Sequence, residues 1–458
     1  MTPPELNLVG IDAQRLLIAS ISIAIYLAMC LMIARKQFIK QLAKKSPSAA
    51  KTASWQIIYA SQTGTAEEFA QQTANTLHVA GIAAQVRALS ALGVDTLKTS
   101  ERILFIVSTY GEGNPPDNAA LFAARVMSQS IDLGNVHYAM LALGDRTYTH
   151  FCGFARELDA WLQTQGAQRL FPTLEAHRCD ANTIERWRNQ LSHLAGTDDA
   201  PDWQGPIFSP WRLVTRRLLN AGSQGNAMYH LELTPPSTIE LPAWESGDLA
   251  QIQIPDDEYP REYSIASIPH DGRVHLLIRL HRHADDSYGA ASGWLTQTLN
   301  IGDSVPLRLR QHPRFRLGDN ATRPLILIGN GSGIAGLRGH LKTRALMNIT
   351  RTWLIFGERN AACDYHYRDE LEAWHNAGIL EKLDAVFSRD QSERRYVQDR
   401  LIECADAVRD WVNGGAAIYV CGSLHGMAAG VDDALSSILG HSNLEELARS
   451  GRYRRDVY

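Results

Sequence analysis

The chain has 458 residues, 45% of them hydrophobic and 21% charged, and is long enough for about three domains of ~100–200 residues each. Its 45 Lys and Arg against 49 Asp and Glu give a net charge of −4, which argues against a nucleic-acid-binding surface. The six cysteines, at positions 30, 152, 179, 363, 404 and 421, have neither CxxC nor zinc-ligand spacing. We therefore expect free thiols in a reducing compartment and no metal site.

The first 54 residues differ from the rest. Residues 16–34 (LLIASISIAIYLAMCLMIA) carry no charge and are about as long as a ~20-residue membrane-spanning helix. Lys and Arg are concentrated after this stretch, which places the bulk of the chain in the cytoplasm. We predict a transmembrane anchor over residues 1–37, a basic linker over 38–54, and a single-pass protein of the cell (inner) membrane. A buried globular helix and a signal peptide are the alternatives; the stretch is apolar all round and its positive charges follow it, which disfavours both.

From residue 55 the chain alternates short apolar runs with amphipathic segments. Each run ends in a loop rich in Gly, Thr or Asp, and a helical stretch such as FARELDAWLQTQG (154–166) follows. This alternation predicts a doubly wound parallel sheet over residues 55–197, with ligands bound beyond the carboxyl ends of its strands. The runs are WQIIYA (55–60), RILFIVSTYGEG (102–113) and HYAMLALGD (137–145).

The loop after the first strand, YASQTGTAEEFA (59–70), has the composition of a phosphate-binding loop. Its hydroxyls offer donors, its glycine lets the backbone come close, and the helix that follows presents unpaired N–H groups. It contains no Lys for the outer phosphates of a nucleoside triphosphate, so a phosphate monoester fits better. The candidate ligands are Ser61, Gln62, Thr63, Gly64, Thr65 and Ala66.

Two further loops, STYGEGNPPDNA (108–119) and LGDRTYTHFCGFA (143–155), place Tyr110 and Tyr148 where they can sandwich a planar ring. The three loops in this order resemble the flavodoxin-like domain of the diflavin reductases, in which such loops hold FMN. The anion would then be the FMN phosphate, and a loop without basic residues would avoid favouring the anionic reduced flavin. Further contacts implied by the resemblance are Thr109, Tyr110, Gly111, Gly113, Asn114, Leu143, Gly144, Asp145, Tyr148, Phe151 and Cys152.

Strand-like runs after the turn-rich segment DDAPDWQG (198–205) predict an antiparallel barrel over residues 203–318. Within it, REYSIAS (261–267) and GAASGWL (289–295) together resemble the FAD site of the ferredoxin-reductase superfamily, although either alone would suit a polar strand or an ordinary helix start. The resemblance implies that Arg261 pairs with the FAD pyrophosphate, Tyr263 stacks on the flavin, and Ser264 hydrogen-bonds its reactive edge. The residues that would cap the pyrophosphate are Gly289, Ala290, Ala291 and Ser292.

The segment RPLILIGNGSGIAGLRGHL (323–341) opens a series of strand-then-polar-loop units that predicts a Rossmann-like domain over residues 319–458. The series resembles the NADPH half of the same superfamily. Two guanidiniums and two hydroxyls within nine residues suit the ribose 2′-phosphate that NADH lacks, whereas a solvated basic loop is the alternative. The turn residues are Gly329, Gly331, Ser332 and Gly333, and the matching 2′-phosphate positions are Ser388, Arg389, Arg394 and Tyr396, with Gln398 beside them.

Cys421 ends an apolar strand, for which a buried structural thiol is the commonest meaning. In the family the matching cysteine lies by the nicotinamide carbon that gives up hydride, in a polar cluster with Ser264 and Asp456. Tyr458 matches the aromatic residue that covers the FAD ring. The ending RYRRDVY most resembles that of the sulfite reductase flavoprotein subunit.

The resemblance spans residues 55–458 and implies an NADPH-dependent flavoprotein oxidoreductase. Electrons would pass from NADPH through FAD and FMN to a protein acceptor, a haem or iron–sulfur protein that could be membrane-associated. Two alternatives stay open: the flavoprotein component of an assimilatory sulfite reductase, and a membrane-tethered NADPH sensor that exports no electrons.

Three features depart from the family. The helical connecting domain of full-length diflavin reductases is missing, because ESGDLAQIQIPDDEYP (245–260) runs directly into REYSIAS. Asn330 and Gly336 stand where proline is common, which we expect to loosen the glycine-rich turn. The membrane helix is foreign to soluble sulfite reductase flavoproteins, so the acceptor could lie in or at the membrane.

Overall fold

A computed structural model of the chain describes residues 55–196, 207–237, 240–255, 260–283 and 285–458. The predicted anchor and linker lie outside these ranges. Within them, no helix combines the length and the apolar character that crossing a bilayer requires.

The first sheet is parallel and is covered by helices on both faces. Its strands β1, β3 and β4 are almost continuously apolar, as expected where both faces are buried. The strands are β1 Trp55–Ala60, β2 Ala84–Ala88, β3 Arg102–Ser108, β4 His137–Gly144, β5 Gln168–Arg169 and β6 Leu174–His177. The helices are α1 Thr65–Val79, α2 Val94–Thr99, α3 Asp117–Arg125, α4 Gly153–Thr164 and α5 Ala181–Ala195. The strand order is β2-β1-β3-β4-β5, with β6 beside β4, so the order reverses between β1 and β3, where such sheets bind ligands.

The second sheet is antiparallel, in the order β10-β9-β12-β7-β8-β11, and encloses its own apolar core. Its strands are β7 Ser209–Leu218, β8 Met228–Thr234, β9 Leu249–Ile252, β10 Arg261–Ser264, β11 Val274–Arg279 and β12 Ser304–Arg310. A short helix, α6 Ala290–Gly293, continues as a π-helical turn over Trp294–Thr298. Strands β9 and β10 pair directly, with Leu249 opposite Ser264, so a helical domain does not interrupt this connection.

The third sheet is parallel, in the order β15-β14-β13-β16-β17. Its strands are β13 Leu325–Asn330, β14 Thr352–Glu358, β15 Lys382–Phe387, β16 Ala417–Gly422 and β17 Tyr453–Val457. The helices are α7 Ile334–Leu346, α8 Ala361–Asp364, α9 Arg368–Asn376, α10 Val397–Glu403, α11 Ala405–Asn413, α12 Ala429–Leu439 and α13 His441–Arg449. The glycine-rich turn follows β13 at the point where the strand order reverses towards β16.

These three units confirm the predicted parallel sheets and antiparallel barrel. The predicted boundary between the first two units falls within residues 197–206, outside the described part of the chain. The predicted transmembrane helix, at residues 16–34, also lies outside it.

The C-terminal strand β17 connects all three units. It pairs in parallel with β16 inside the third sheet, with Asp456 opposite Cys421. The carbonyl of Val457 accepts a hydrogen bond from the Tyr110 hydroxyl, and Arg455 forms an ion pair with Asp117, both partners belonging to the first unit. Residues separated by more than 300 positions are thus brought to one place.

Candidate active site

A cleft of about 410 Å³ opens at the carboxyl edge of the first sheet, between the loops that follow β1, β3 and β4. Eleven of the predicted FMN contacts line it: Gln62, Thr63, Thr65, Thr109, Tyr110, Gly111, Leu143, Gly144, Asp145, Tyr148 and Cys152. The other six, which do not line it, are Ser61, Gly64, Ala66, Gly113, Asn114 and Phe151. Five lining residues were not predicted: Ser108, His150, Arg178, Cys179 and Glu262.

The phosphate loop holds its shape through its own side chains. Gly64 adopts a left-handed φ of 97°, which lets the chain turn into α1. The Ser61 hydroxyl accepts hydrogen bonds from the amides of Gly64 (2.8 Å) and Ala66 (3.3 Å). These contacts within the loop fix the turn that leads into α1.

Helix α3 braces this loop from outside. Asn118 Oδ1 accepts from the Ser61 amide at 2.9 Å. Asp117 accepts from the Gln62 side chain at 3.1 Å, and its amide donates to Gln62 Oε1 at 2.9 Å. Sequence reasoning missed Asp117 and Asn118, although their position directly after two prolines marks the start of a helix.

The two tyrosines form different walls of the cleft. Tyr110 is held firmly, because its backbone pairs with Asn114 in both directions at 2.9 Å and its hydroxyl bonds Val457. Burial raises the pKa of Tyr110, so its phenol stays protonated and can donate. The Tyr148 side chain is 37% exposed. A planar ring between them would thus contact one fixed wall and one open wall.

Two strained residues complete the cleft. Arg178 and Cys179 follow β6 with φ values of 50° and 61°, a conformation that costs free energy for residues other than glycine. The Arg178 side chain bonds Asp145 at 2.7 Å. Burial raises the pKa of the Cys179 and Cys152 thiols to about 12, so both are neutral packing groups rather than nucleophiles.

Cations reach the phosphate loop from the barrel. Arg310, at the end of β12, places a guanidinium nitrogen 3.2 Å from Thr65 Oγ1, and Arg314 donates to the Ser61 carbonyl. The effect that a loop without basic residues would have on the reduced flavin stays a prediction. The folded loop nevertheless has positive charge beside it, although its own sequence contains no basic residue. The reason is tertiary: the charge comes from another domain.

Three of the four predicted catalytic residues, Ser264, Cys421 and Asp456, lie in one buried cluster between the barrel and the third sheet. The fourth, Tyr458, is half-exposed and lies outside it. Ser264 Oγ donates to Asp456 Oδ2 at 2.7 Å, and Cys421 Sγ lies 3.8 Å from the same oxygen. Burial raises the pKa values of Cys421 and Asp456, whereas His312 and the Ser264 hydrogen bond counteract the rise at Asp456. The net shift of the Asp456 pKa is upward, so burial favours the neutral form of this carboxyl group.

His312 is a member of this cluster that sequence reasoning missed. It is 2% exposed, and its Nε2 lies 3.9 Å from Asp456 Oδ1 with no hydrogen-bond partner among the described residues. Burial lowers the pKa of the imidazole. No local pattern marks this histidine, because it meets Asp456 only through tertiary structure.

The barrel residues assigned to FAD lie on adjoining elements. Arg261, Tyr263 and Ser264 belong to β10. Burial raises the pKa of Tyr263, and the nearby Arg261 moderates the rise. The predicted pyrophosphate segment is braced by His281, whose amide donates to Ser292 Oγ at 3.0 Å and whose carbonyl accepts from Gly289 at 2.9 Å. A guanidinium, an aromatic ring and a helix start suit a flavin diphosphate.

The glycine-rich turn is pressed against the end of β16. A Cβ on Gly329 would lie 2.7 Å from the Cys421 carbonyl oxygen, and one on Gly333 would overlap that oxygen. Gly331 has a left-handed φ of 56°. Asn330 Oδ1 accepts from the Ser423 amide at 3.0 Å and so ties the turn to β16, contrary to the loosening expected from the sequence. Ser332 lies 3.4 Å from the hydroxyl of the half-exposed Tyr458.

Tyr458 lies at the end of β17, where its amide donates to the Gly422 carbonyl at 3.0 Å. Its side chain is 54% exposed. The ring is thus placed beside the turn and the cysteine strand, and its role as a cover for the FAD ring stays a prediction.

The predicted 2′-phosphate residues follow β15. Ser388 is buried, whereas Arg389, Arg394 and Tyr396 are exposed. The amide of Ser388 bonds the end of β14 at 2.9 Å, which fixes where this loop begins. Gln398 lies in the first turn of α10, against Gly430. Exposed guanidiniums beside a buried hydroxyl can bind a phosphate without prior loss of an ion pair.

In the part of the chain that the structure describes, one cluster has metal-ligand chemistry: the ligand atoms of His230, Glu232 and His275 lie within 4.8 Å of one another. Burial lowers the pKa of both histidines to about 4, so they are neutral. Two guanidiniums already contact the group, Arg273 at 2.7 Å from Glu232 and Arg338 at 3.4 Å from His275 Nδ1. Their positive charge opposes a cation, and we assign no metal here.

Comparisons with known proteins agree with this geometry. Residues 57–188 match the flavodoxin family and residues 327–433 match the oxidoreductase NAD-binding domain. The chain is an NADPH-dependent flavoprotein oxidoreductase. Its cofactors are FMN, FAD and NADPH.

The chain is similar along most of its length to sulfite reductase [NADPH] flavoprotein alpha-components. That of Vibrio cholerae serotype O1 is 29% identical over 534 aligned residues, which cover 88% of this chain and 87% of the relative. That of Bacillus subtilis is 24% identical, with 90% and 91% covered. An alignment of 534 residues is longer than the 458-residue chain, so the relative contains segments that this chain lacks. The short β9–β10 connection, where the sequence predicts that a connecting domain is missing, agrees with this difference.

Removing the Ser264 hydroxyl should change the pH dependence of flavin reduction. The hydroxyl stabilises the ionised form of Asp456, so Ser264→Ala should raise the pKa of Asp456 further. If ionised Asp456 supports hydride transfer, the acid limb of the rate profile should move to higher pH, and Asp456→Asn should abolish that limb. Stopped-flow loss of flavin absorbance with NADPH measures this.

Ser267→Ala is the matched control, because Ser267 is buried on the same segment but bonds Arg273 and His275 instead. An unchanged acid limb in Ser264→Ala would mean that Asp456 does not set the pH dependence.

Replacing Arg389 and Arg394 by alanine should weaken the binding of NADPH far more than the binding of NADH. Each charge-assisted contact to a phosphate contributes about 1.5–3 kcal/mol, and only NADPH carries the 2′-phosphate. Steady-state kinetics with both nucleotides measures the difference. Arg395→Ala is the control, since Arg395 pairs with Glu403 instead. Equal losses for NADPH and NADH would refute the assignment.

Proposed function

We propose that the protein is a membrane-anchored diflavin reductase that passes electrons from NADPH through FAD and FMN to a protein acceptor. The observation that supports this most is the contact between Tyr110 of the FMN cleft and Val457, next to the buried Asp456. A wall of the FMN cleft and the hydride-transfer cluster thus adjoin one strand. The flavins supply the conversion of a two-electron donor to one-electron steps.

The chain's own residues divide this task. The phosphate loop and the two tyrosines hold FMN, and the β10 motif with residues 289–292 holds FAD. The buried cluster of Ser264, Cys421 and Asp456 provides a polar, water-poor place for hydride transfer. The exposed arginines after β15 select NADPH.

For the acceptor we propose a haem or iron–sulfur protein at the membrane. The names of the relatives favour a second candidate, the flavoprotein component of an assimilatory sulfite reductase. Co-purification of a sirohaem protein would distinguish the two. A sensor that exports no electrons is a weaker proposal, since it would have no need of Ser264, Cys421 and Asp456 together.

We propose that residues 1–37 anchor the protein in the cell (inner) membrane, with the catalytic domains in the cytoplasm, on the strength of the uncharged stretch 16–34 and the basic residues after it. The full chain should sediment with membranes and resist extraction by high salt. A variant that lacks residues 1–37 should be recovered in the soluble fraction with its NADPH–ferricyanide activity retained. A full chain that high salt releases would rule out an integral anchor.

The electron relay is tested at the phosphate loop. Thr63→Ala with Thr65→Ala removes two hydroxyl donors, so a dianion should lose about 3 kcal/mol or more and FMN should be lost on dilution. FAD lies in another domain, so NADPH should still drive ferricyanide reduction. Reduction of cytochrome c, which is too large to reach FAD, should fail, and excess FMN should partly restore it.

Thr76→Ala is a suitable control, because Thr76 lies in the same helix but its hydroxyl bonds the Gln72 carbonyl, away from the cleft. Undiminished cytochrome c reduction without bound FMN would mean that electrons leave from FAD, and the two-flavin relay would be wrong.

A further inference from the structure

A buried arginine from the barrel closes one side of the FMN phosphate loop. The Arg310 side chain is 7% exposed, and its guanidinium forms an ion pair with Glu262 through one nitrogen. The other terminal nitrogen lies 3.2 Å from Thr65 Oγ1 and 3.3 Å from where a Cβ on Gly64 would lie. Glu262 itself lines the FMN cleft. Arg310 does not line the cleft itself, but it contacts Thr65, which does.

The contact with Thr65 limits how far Arg310 can lie from a phosphate bound to that hydroxyl. The nearer guanidinium nitrogen lies 3.2 Å from Thr65 Oγ1. A phosphate oxygen that accepts a hydrogen bond of usual length from this hydroxyl therefore lies at most about 6 Å from that nitrogen. A guanidinium carries five N–H donors in a planar fork that matches phosphate geometry. The two described hydrogen bonds of Arg310 use one N–H of Nη1, to Glu262, and one N–H of Nη2, to Thr65. Each of these nitrogens carries a second N–H.

The neighbouring arginines have other partners. Arg308 lies 3.4 Å from Glu68 and also bonds Gln251, so it contacts the helix and not the loop. Arg314 donates to the Ser61 carbonyl, at the start of the loop. Of these three arginines, Arg310 contacts the hydroxyl of Thr65, a residue predicted to bind the phosphate.

We propose that Arg310 is a ligand of the FMN phosphate, supplied by the FAD barrel, and that Glu262 competes with the phosphate for the same guanidinium. The FMN site is then shared by two domains, and the phosphate helps to hold them together. This inference rests on the proposed function, since it takes FMN to occupy the cleft.

The competing explanation is that the Arg310–Glu262 ion pair is purely structural. Neutral substitutions at each of the two residues distinguish the two explanations. If the pair only joins the domains, Arg310→Gln and Glu262→Gln both weaken that contact and change FMN affinity in the same direction. If Arg310 binds the phosphate, Arg310→Gln weakens FMN binding. Glu262→Gln then frees the guanidinium and strengthens FMN binding.

The experiment uses the full-length protein with FAD bound and FMN removed. FMN and riboflavin are titrated separately, and quenching of flavin fluorescence gives each Kd. Arg310→Gln should raise the Kd for FMN by about tenfold or more and leave that for riboflavin within about twofold, because riboflavin has no phosphate. Glu262→Gln should lower the Kd for FMN several-fold. Arg308→Gln, on the same strand, should leave both values unchanged.

A buried charge without its partner could prevent folding, so Arg310→Gln is also made together with Glu262→Gln, which removes the pair as a unit. Retained FAD verifies that the barrel has folded, and the double variant should show the same phosphate-specific loss. Equal weakening of FMN and riboflavin, or weaker FMN in Glu262→Gln, would overturn the proposal. A wild-type protein that binds no FMN would refute the proposed function instead.

Discussion

The parallel pairing of β17 with β16 is the constraint on which the active site depends. A five-residue strand at the end of the chain sets Asp456 beside Cys421 in register, and Asp456 then accepts from Ser264 of the barrel. The residues on either side of Asp456 reach the first domain, where Arg455 meets Asp117 and Val457 meets Tyr110. Without this strand, the polar cluster would lack its carboxylate and the FMN cleft would lose its contact with the third domain.

Direct contacts between the units are also relevant to the missing connecting domain. Strands β9 and β10 pair across a short connection, so the barrel has no helical insertion there to position the FMN domain. Direct contacts join the first unit to the other two in this structure: the ion pair at Asp117, the Tyr110 hydrogen bond, Arg310 on the phosphate loop, and Arg308 with Glu68 of helix α1. The ion pairs of Arg455 with Asp117 and of Arg308 with Glu68 are partly exposed, so each contributes little to holding the units together.

The parallel sheets could be predicted because local signals agreed: apolar runs, glycine-rich loops and amphipathic helices recur in order. Ser264, Cys421 and Asp456 were grouped only through a family resemblance, and the structure brings them within 4 Å. Arg310 could not be predicted from the loop that it serves, because it lies 245 positions away. The left-handed Arg178 has no signal in composition either, since neighbouring structure imposes that conformation.

The buried cluster shows why position rather than residue type decides the chemistry. Asp456 must stay near its ionised form if it is to favour positive charge beside it, and loss of hydride leaves a nicotinamide positively charged. Burial opposes that ionisation, whereas the Ser264 hydroxyl and His312 support it. Burial and the neighbouring Asp456 raise the pKa of the Cys421 thiol and outweigh the hydrogen bonds from Ser264 and Gly336, which act to lower it, so the thiol stays protonated. Cys421 is therefore a compact neutral neighbour of Asp456, and the protonation of Asp456 depends on residues from two domains.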